Sequence, residues 1–265
     1  MRLSLYQVDA FAAEVFRGNP AAVCPLETWI SDTTMQAIAA ENNLAETAFL
    51  VQTGAAHYHL RWFTPEVEVD LCGHATLAAA AVLYEKVGQQ APQVTFDTRS
   101  GPLVVTRAGD ADKLDLPARR ARPLPPDRQV ALALGGDPVE LWLARDGMAV
   151  YGSEVEVREL APDMARLKTL GVFGFIATAP AQPALSPGAD FVSRFFAPAA
   201  GVPEDPVTGS AHCTLVPYWA DRLGKTTLEA RQVSHRGGAL HCVLDGDRVR
   251  LTGRAVFYLE GAITV

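Results

Sequence analysis

The stretch 70–88, "DLCGHATLAAAAVLYEKVG", places a Cys-Gly-His tripeptide (72–74) directly before a nearly unbroken apolar run. The run over 75–87 has 13 residues, whereas a helix needs about 20 to span a membrane. A helix that is apolar on nearly all sides is typical of a protein core. The stretch therefore predicts a buried helix whose N-terminus carries the polar groups of Gly73 and His74.

The same pattern occurs a second time in the chain. Segment 60–88, "LRWFTPEVEVDLCGHATLAAAAVLYEKVG", resembles segment 193–224, "SRFFAPAAGVPEDPVTGSAHCTLVPYWADRLG". Arg61 matches Arg194 at an offset of 133, and the glycines match at an offset of 136 after a three-residue insertion. Both copies run in the order strand, Pro turn, Gly, apolar helix, Gly cap and strand. A repeat of this kind predicts two similar lobes.

Strand signals dominate the rest of the sequence, so the predicted fold class is α+β. Each of the two pseudo-symmetric lobes is expected to be a twisted, mostly antiparallel sheet wrapped around its central apolar helix. An amphipathic helix is expected after Ser31 or Asp32 as N-cap, with Met35, Ile38 and Ala39 on its apolar face. β-branched and aromatic residues between turn residues predict further strands, in the segments "HYHLRWF" (57–63), "QVTFDT" (93–98), "RVRLTG" (248–253) and "AVFYLEGAITV" (255–265).

A Pro- and Arg-rich segment, "LPARRARPLPPDRQ" (116–129), reads as a surface connector between the lobes. We therefore expect an N-terminal lobe over 1–115, with Glu46 and His74, and a C-terminal lobe over 116–265, with Asp205 and Ser210. The last strand is the part of the second lobe that could pack on the first.

Composition excludes several classes of function. The net charge is −7 and no basic block is present, which argues against nucleic acid and anionic membranes as partners. The N-terminus alternates like a strand and lacks the features of a signal peptide, so a cytoplasmic location is expected. No Walker or G-x-G-x-x-G motif is present, so no nucleotide cofactor is expected.

The cysteines offer no standard metal module. None of the four forms a C-x-x-C pair, so free thiols are expected in a cytoplasmic protein. A zinc site from Cys72, His74, His212 and Cys213 would fit no standard spacing, and no metal is predicted.

The starts of the two apolar helices are candidate anion sites. Each opens with a glycine and a small polar residue, Gly73-His74 in one lobe and Gly209-Ser210 in the other. Helix N-termini present unpaired N–H groups that favour a carboxylate, and glycine lets a ligand approach closely. The alternative is that these glycines only make turns.

Each lobe also contains one acidic residue that has no counterpart in the other lobe. Glu46, in "NNLAETAFL" (42–50), lies between a helix and a strand, and the matching stretch of the second lobe places Val172 there. Asp205 falls opposite Val69. Beside His74, Glu46 is a candidate general acid/base, although a solvated glutamate and a capping histidine would explain the same residues.

Four motifs, in order along nearly the whole chain, resemble the PhzF family of phenazine-biosynthesis-like isomerases. They are "FRGNPAAVC" (16–24), "NNLAETAFL" (42–50), "RWFTPEVEVDLCGHATLA" (61–78) and "EDPVTGSAH" (204–212). The resemblance implies the diaminopimelate epimerase fold, with the site between two lobes, and a homodimer. It also implies a cofactor-independent isomerase, whose best-known activity acts on a dihydro-hydroxyanthranilate.

Residue roles follow from the same resemblance. Glu46 would move a proton between carbons of a small unsaturated carboxylic acid, with His74 and Asp205 as further catalytic residues. Gly73, Gly209 and Ser210 would bind the substrate. Asn19, in the "GNP" turn, is a further candidate for substrate binding, with a plain turn residue as the alternative.

Two other functions remain open. Racemases and epimerases of this fold use two facing cysteines, and the first corresponds to Cys72, but Thr208 stands at the second position. A threonine hydroxyl is too weak an acid to replace a thiolate, so a two-thiol mechanism lacks its partner. The second alternative is a binding module for small acids without catalysis.

Overall fold

The structure is a computed structural model that describes all 265 residues. The chain divides into two compact units: the N-unit comprises Met1–Leu116 and Arg250–Val265, and the C-unit comprises Pro117–Val249. The C-terminal strand thus belongs to the N-unit, where it pairs with the first strand along its whole length.

Strands outnumber helices throughout the chain. The strands are β1 Arg2–Ala10, β2 Asn19–Leu26, β3 Glu46–Gly54, β4 His57–Phe63, β5 Glu68–Val69, β6 Gln93–Thr98, β7 Gly101–Ala108, β8 Ala111–Pro117, β9 Arg122–Leu124, β10 Glu140–Leu143, β11 Gly147–Val150, β12 Phe175–Pro180, β13 Phe191–Ala197, β14 Val202–Asp205, β15 Thr227–Gln232, β16 Gly238–Asp245, β17 Arg248–Gly253 and β18 Ala255–Thr264. The α-helices are α1 Asp32–Asn42, α2 Gly73–Val82, α3 Arg128–Leu134, α4 Glu154–Glu159, α5 Met164–Thr169 and α6 Gly209–Leu223, with a π-helix at Leu83–Val87 and a 3₁₀-helix at Pro198–Ala200.

The N-unit is a mixed, mostly antiparallel sheet. β1 pairs antiparallel with β18 and β2, and β3 pairs antiparallel with β4. β4 pairs antiparallel with β5, and β6, β7 and β8 follow as antiparallel neighbours. The parallel pairs are β2 with β3 and β4 with β6. Each parallel pair has a helix between its strands, because a parallel connection needs a long crossover.

The C-unit repeats this topology. β10 pairs antiparallel with β9 and β11, and β13 pairs antiparallel with β12 and β14. β11 lies parallel to β12 across α4 and α5, and β13 lies parallel to β15 across α6. The predicted α+β fold with two similar halves is therefore confirmed.

The two apolar helices form the cores of their units. All ten residues of α2 are buried, and α6 is buried from Gly209 to Ala220. Gly88 and Gly224 end these segments with φ of +83° and +68°, which glycine adopts without steric cost. None of the helices in the structure combines the length and the hydropathy needed to cross a membrane.

A bidentate ion pair is repeated in the two units. Arg61 on β4 binds both carboxylate oxygens of Glu68 on β5, at 2.7 and 2.8 Å. Arg194 on β13 binds Glu204 on β14 in the same way, at 2.7 and 2.9 Å. Planar fork-to-fork pairs of this type fix geometry as well as adding energy. The arginine repeat found in the sequence therefore reflects equivalent contacts.

Helix α1 begins at the predicted cap. The Ser31 hydroxyl accepts a hydrogen bond from the Thr34 N–H, and Met35, Ile38 and Ala39 are the buried face. The Pro-rich segment 116–129 differs from its prediction as a plain connector, since Arg122–Leu124 forms β9. Pro123 lies in the middle of β9, opposite Trp142 of β10.

The turn between β10 and β11 buries a carboxyl group. The side chain of Asp146 has no exposed surface, and neither of its oxygens has a hydrogen-bond partner in the chain. Burial raises the pKa of Asp146 from 3.8 to about 6, against the attraction of Arg145 and Arg119. Folded Asp146 therefore holds a proton between about pH 4 and 6 that the unfolded chain releases.

We expect Asp146→Asn to remove a destabilisation that grows as pH rises through this range. A shift of about two pKa units corresponds to up to about 3 kcal/mol at pH 7, since one unit is about 1.4 kcal/mol. Urea unfolding at pH 4 and pH 7 should show wild type losing free energy of unfolding relative to the variant. Exposed Asp247→Asn is the control, and an equal response of both variants would contradict the prediction.

Candidate active site in the N-unit and a polar cluster in the C-unit

Three polar side chains of the N-unit meet at the start of α2. Asn43 ends α1 in the left-handed conformation, with φ of 50°, and Glu46 opens β3 three residues later. His74 is the second residue of α2, and Asn19 is the first residue of β2. His74 Nε2 lies 3.2 Å from Glu46 Oε2, and His74 Nδ1 lies 3.0 Å from Asn19 Nδ2. The imidazole thus lies between an acid and an amide.

Burial determines the charge of the His74 imidazole. The side chain of His74 is 3 % exposed and that of Glu46 is 15 % exposed. Burial lowers the pKa of His74 from 6.5 to about 3, so the imidazole is neutral at physiological pH. The contact between His74 and Glu46 is therefore a contact of a neutral ring with a carboxyl group and not an ion pair. Glu46 retains the access to solvent that a proton-transfer group needs.

Cys72 completes the cluster from the N-cap position of α2. Its side chain makes no capping hydrogen bond, and its Sγ lies 3.4 Å from His74 Nδ1. The ligand-type atoms of Glu46, Cys72 and His74 lie within 4.8 Å of one another. Glu46 lies on the Nε2 side of the ring and Cys72 on the Nδ1 side, so an ion bound to one ring nitrogen would have only one of the two beside it. The same residue types suit proton transfer.

The C-unit carries a second polar cluster at the equivalent place. Asp205 ends β14, and its carboxylate accepts a hydrogen bond of 2.6 Å from the Thr208 hydroxyl. Gln232, at the end of β15, donates to the Asp205 carbonyl at 2.7 Å and to Thr208 Oγ1 at 3.0 Å. Its side-chain oxygen accepts from the Thr208 N–H at 2.8 Å. These bonds fix the chain between β14 and α6.

Helix α6 begins directly after this segment. Thr208 is its N-cap, as Cys72 is that of α2, and Gly209 and Ser210 are its first two residues. Ser210 is 9 % exposed, and His212 is fully buried with Nδ1 2.8 Å from the Thr208 carbonyl oxygen. Burial lowers the pKa of His212 to about 4, although the Thr208 carbonyl opposes the shift.

Strand register shows how the acids of the two units are related. β4 pairs Trp62 with Val69, and β13 pairs Phe195 with Asp205, so Asp205 does occupy the place of Val69. The C-unit residue at the position of Glu46 is not the one that the sequence alignment indicated. Thr47 pairs with Phe63 and Phe175 pairs with Phe196, which sets Glu46 against Gly174 and not Val172. The C-unit therefore has no side chain where the N-unit has its carboxylate.

The structure thus groups Glu46, His74 and Asn19 within the N-unit, and Asp205, Gly209 and Ser210 within one segment of the C-unit. Sequence reasoning missed Gln232, because its role depends on the pairing of β15 and nothing in "EARQV" marks it. It also missed the contact of Cys72 with His74, although a thiol two residues before a histidine could have indicated it.

Known proteins resemble this chain along its whole length. A family model described as "Phenazine biosynthesis-like protein" (PhzC-PhzF) matches residues 8–133 and 144–261. A protein of Pseudomonas aeruginosa named as an uncharacterized isomerase is 51% identical, with 99% of each chain covered. The crystal structure of a PhzF-family phenazine biosynthesis protein of Enterococcus faecalis covers 100% of both chains, with 46% identity and a TM-score of 0.94.

The fold is shared more widely. A hydroxyproline epimerase from Agrobacterium vitis superposes with a TM-score of 0.64 at 12% identity, covering 99% of this chain and 92% of its own. At this identity the likeness concerns the fold alone, which is the epimerase-like architecture expected from the sequence.

Proposed function

Because the chain belongs to the phenazine biosynthesis-like PhzC-PhzF family, we propose that it is an isomerase that moves a proton between carbon atoms of a small carboxylic acid. The observation that supports this function best is the contact of the Glu46 carboxyl group with the buried neutral imidazole of His74. A partly exposed acid held beside a fixed polar group at a helix N-terminus is suited to proton transfer.

In the proposed reaction Glu46 is the acid/base. Its carboxylate takes a proton from one carbon of the substrate, and the electrons of the broken C–H bond move into the unsaturated system. Glu46 then returns the proton to a second carbon, so that the double bond migrates and no cofactor is consumed. We propose that the N–H groups at the start of α2, beginning with Gly73, stabilise the negative charge of the intermediate.

The C-unit residues keep the roles that the resemblance implies. Asp205 is proposed as a further catalytic residue, with its carboxylate oriented by the Thr208 hydroxyl. Gly209 and Ser210 are proposed to bind the substrate carboxylate at the start of α6. Assembly into a homodimer and a cytoplasmic location stay predictions.

The test is proton exchange at carbon. The protein is incubated in D₂O with dihydro-hydroxyanthranilate and a panel of small cyclic and unsaturated carboxylic acids, and NMR follows deuterium at carbon. Double-bond migration or exchange of a C–H proton supports the isomerase and identifies its substrate class. Binding of acids without exchange of any carbon proton would instead favour the small-acid binding module.

The racemase-like alternative requires Cys72 as a catalytic thiol, whereas the proposed isomerase does not. Since Thr208 stands at the position of the second thiol and binds Asp205, we expect Cys72→Ala to retain the exchange rate within about threefold, as expected for loss of one weak thiol contact. NMR exchange assays of wild type and variant at equal concentration provide the measurement. A loss of a hundredfold or more would establish the thiol as a catalytic group and favour the racemase-like alternative.

A further inference from the structure

We propose that Asn19 is a positioning residue: its amide N–H fixes His74 in the tautomer that carries its proton on Nε2, facing Glu46. His74 then acts as a hydrogen-bond donor and not as a proton carrier. The catalytic meaning of this arrangement rests on the proposed function, whereas the tautomer itself does not.

The buried imidazole of His74 carries a single proton. His74 is enclosed by the buried start of α2, with 2 % of the residue exposed. A neutral imidazole has one N–H and one lone pair, and the hydrogen bond made by one nitrogen decides the state of the other. Only one of the two sides of the ring can therefore be a donor.

The neighbours on the two sides of the ring decide which nitrogen carries this proton. On the Nε2 side lies Glu46 Oε2 at 3.2 Å, and an ionised carboxylate is only an acceptor. On the Nδ1 side lies Asn19 Nδ2 at 3.0 Å, which is only a donor. Cys72 Sγ, at 3.4 Å from the same nitrogen, is able to donate its S–H. Both sides therefore favour the same tautomer, with the lone pair on Nδ1 and the proton on Nε2.

The Asn19 amide also keeps the ring in this tautomer during proton transfer. To accept a second proton at Nδ1, His74 would have to break its hydrogen bond with the Asn19 amide inside the protein. A buried amide left without its partner is costly, so the ring keeps its state while Glu46 gains and loses protons. The Nε2–H, which makes no hydrogen bond within the chain, is then a fixed donor available to an oxygen of a bound acid beside Glu46.

The C-unit contains an internal reference of the opposite kind. His212 is also buried, and its Nδ1 lies 2.8 Å from the Thr208 carbonyl oxygen. A carbonyl is only an acceptor, so His212 carries its proton on Nδ1. The structure therefore predicts two buried neutral histidines with opposite tautomers in one chain.

The experiment is long-range ¹H–¹⁵N correlation NMR on the full chain labelled with ¹⁵N-histidine. His74→Gln and His212→Gln assign the two sets of ring signals. We expect His74 with a proton on Nε2 alone and His212 with a proton on Nδ1 alone at neutral pH. A proton on Nδ1 of His74 in the wild-type spectrum would by itself overturn the proposal.

The matched variant is Asn19→Asp, which keeps the shape of the side chain and replaces the donor by an acceptor. We expect Nδ1 of His74 to gain a proton, while His212 is unchanged and serves as the control for folding. The proton exchange rate should fall about tenfold or more, the effect of losing one hydrogen bond to a charged group. Persistence of an unprotonated Nδ1 in a folded Asn19→Asp protein would contradict the proposal.

The two hypotheses fail in different ways. If wild type exchanges no carbon proton while the tautomers are as described, the isomerase fails and the role of Asn19 in fixing the ring stands. If exchange occurs and His74 is protonated on Nδ1, the isomerase stands and the positioning role fails.

Discussion

Glu46→Gln is expected to lower the rate of carbon-proton exchange by about 10²- to 10⁴-fold, the usual contribution of a general acid/base. Glutamine keeps the size of the side chain and a carbonyl oxygen toward His74 Nε2, 3.2 Å away in wild type. It cannot take up a proton at physiological pH. The measurement is deuterium incorporation by NMR with the acid that wild type isomerises most rapidly.

The control for this variant is Glu66→Gln, an exposed glutamate in the turn between β4 and β5. It carries the same chemical change on the same unit and should exchange protons at the wild-type rate. Binding of the acid, measured by calorimetry, should persist in Glu46→Gln. Wild-type exchange in Glu46→Gln would remove Glu46 from the mechanism.

Glu154→Ala is expected to lower the free energy of unfolding by about 2–6 kcal/mol, since two hydrogen-bond donors lose their partner at about 1–3 kcal/mol each. Glu154 is fully buried at the start of α4. Its carboxylate accepts bonds of 2.7 Å from the Gln182 N–H and the Ser186 hydroxyl, and binds Arg158 at 2.7 Å. Alanine would leave these donors without a partner and release the Pro-rich loop over 181–190.

The pH dependence of this loss provides a second readout. Burial would raise the pKa of Glu154, but the hydrogen bonds from Gln182, Ser186 and Arg158 outweigh it and hold the pKa below its usual 4.5. A lowered pKa means that the carboxylate stabilises the fold above about pH 4.5 and that this contribution is lost on further acidification. The difference between wild type and Glu154→Ala should therefore narrow below pH 4.5.

Urea unfolding of wild type, Glu154→Ala and the control Glu159→Ala measures both effects. Glu159 is exposed at the end of the same helix, and its loss should change the free energy of unfolding by less than about 0.5 kcal/mol. Equal small losses for both variants would show that the carboxylate of Glu154 does not hold the loop.

Local signals in the sequence were sufficient for the elements and the repeat. The cap at Ser31, the glycine ends at Gly88 and Gly224, and the buried helix after Cys72 were predicted because each depends on a few neighbouring residues. The repeated arginine, Arg61 and Arg194, indicated two similar halves, and the structure gives both the same bidentate contact. Strand periodicity located β4, β6, β17 and β18 within one residue.

Tertiary structure alone decided which side chains meet. Glu46 and His74 are far apart in sequence, and their contact depends on the crossover from β4 through α2 to β6, which no local pattern specifies. Gln232 reaches Asp205 and Thr208 because β15 lies parallel to β13, and Gly174 stands opposite Glu46 because of strand register. The sequence thus determined the secondary-structure elements and supplied the residue types for proton chemistry. Burial and strand register act between distant segments, and they determined the neutral state of the His74 imidazole and the side chains beside it.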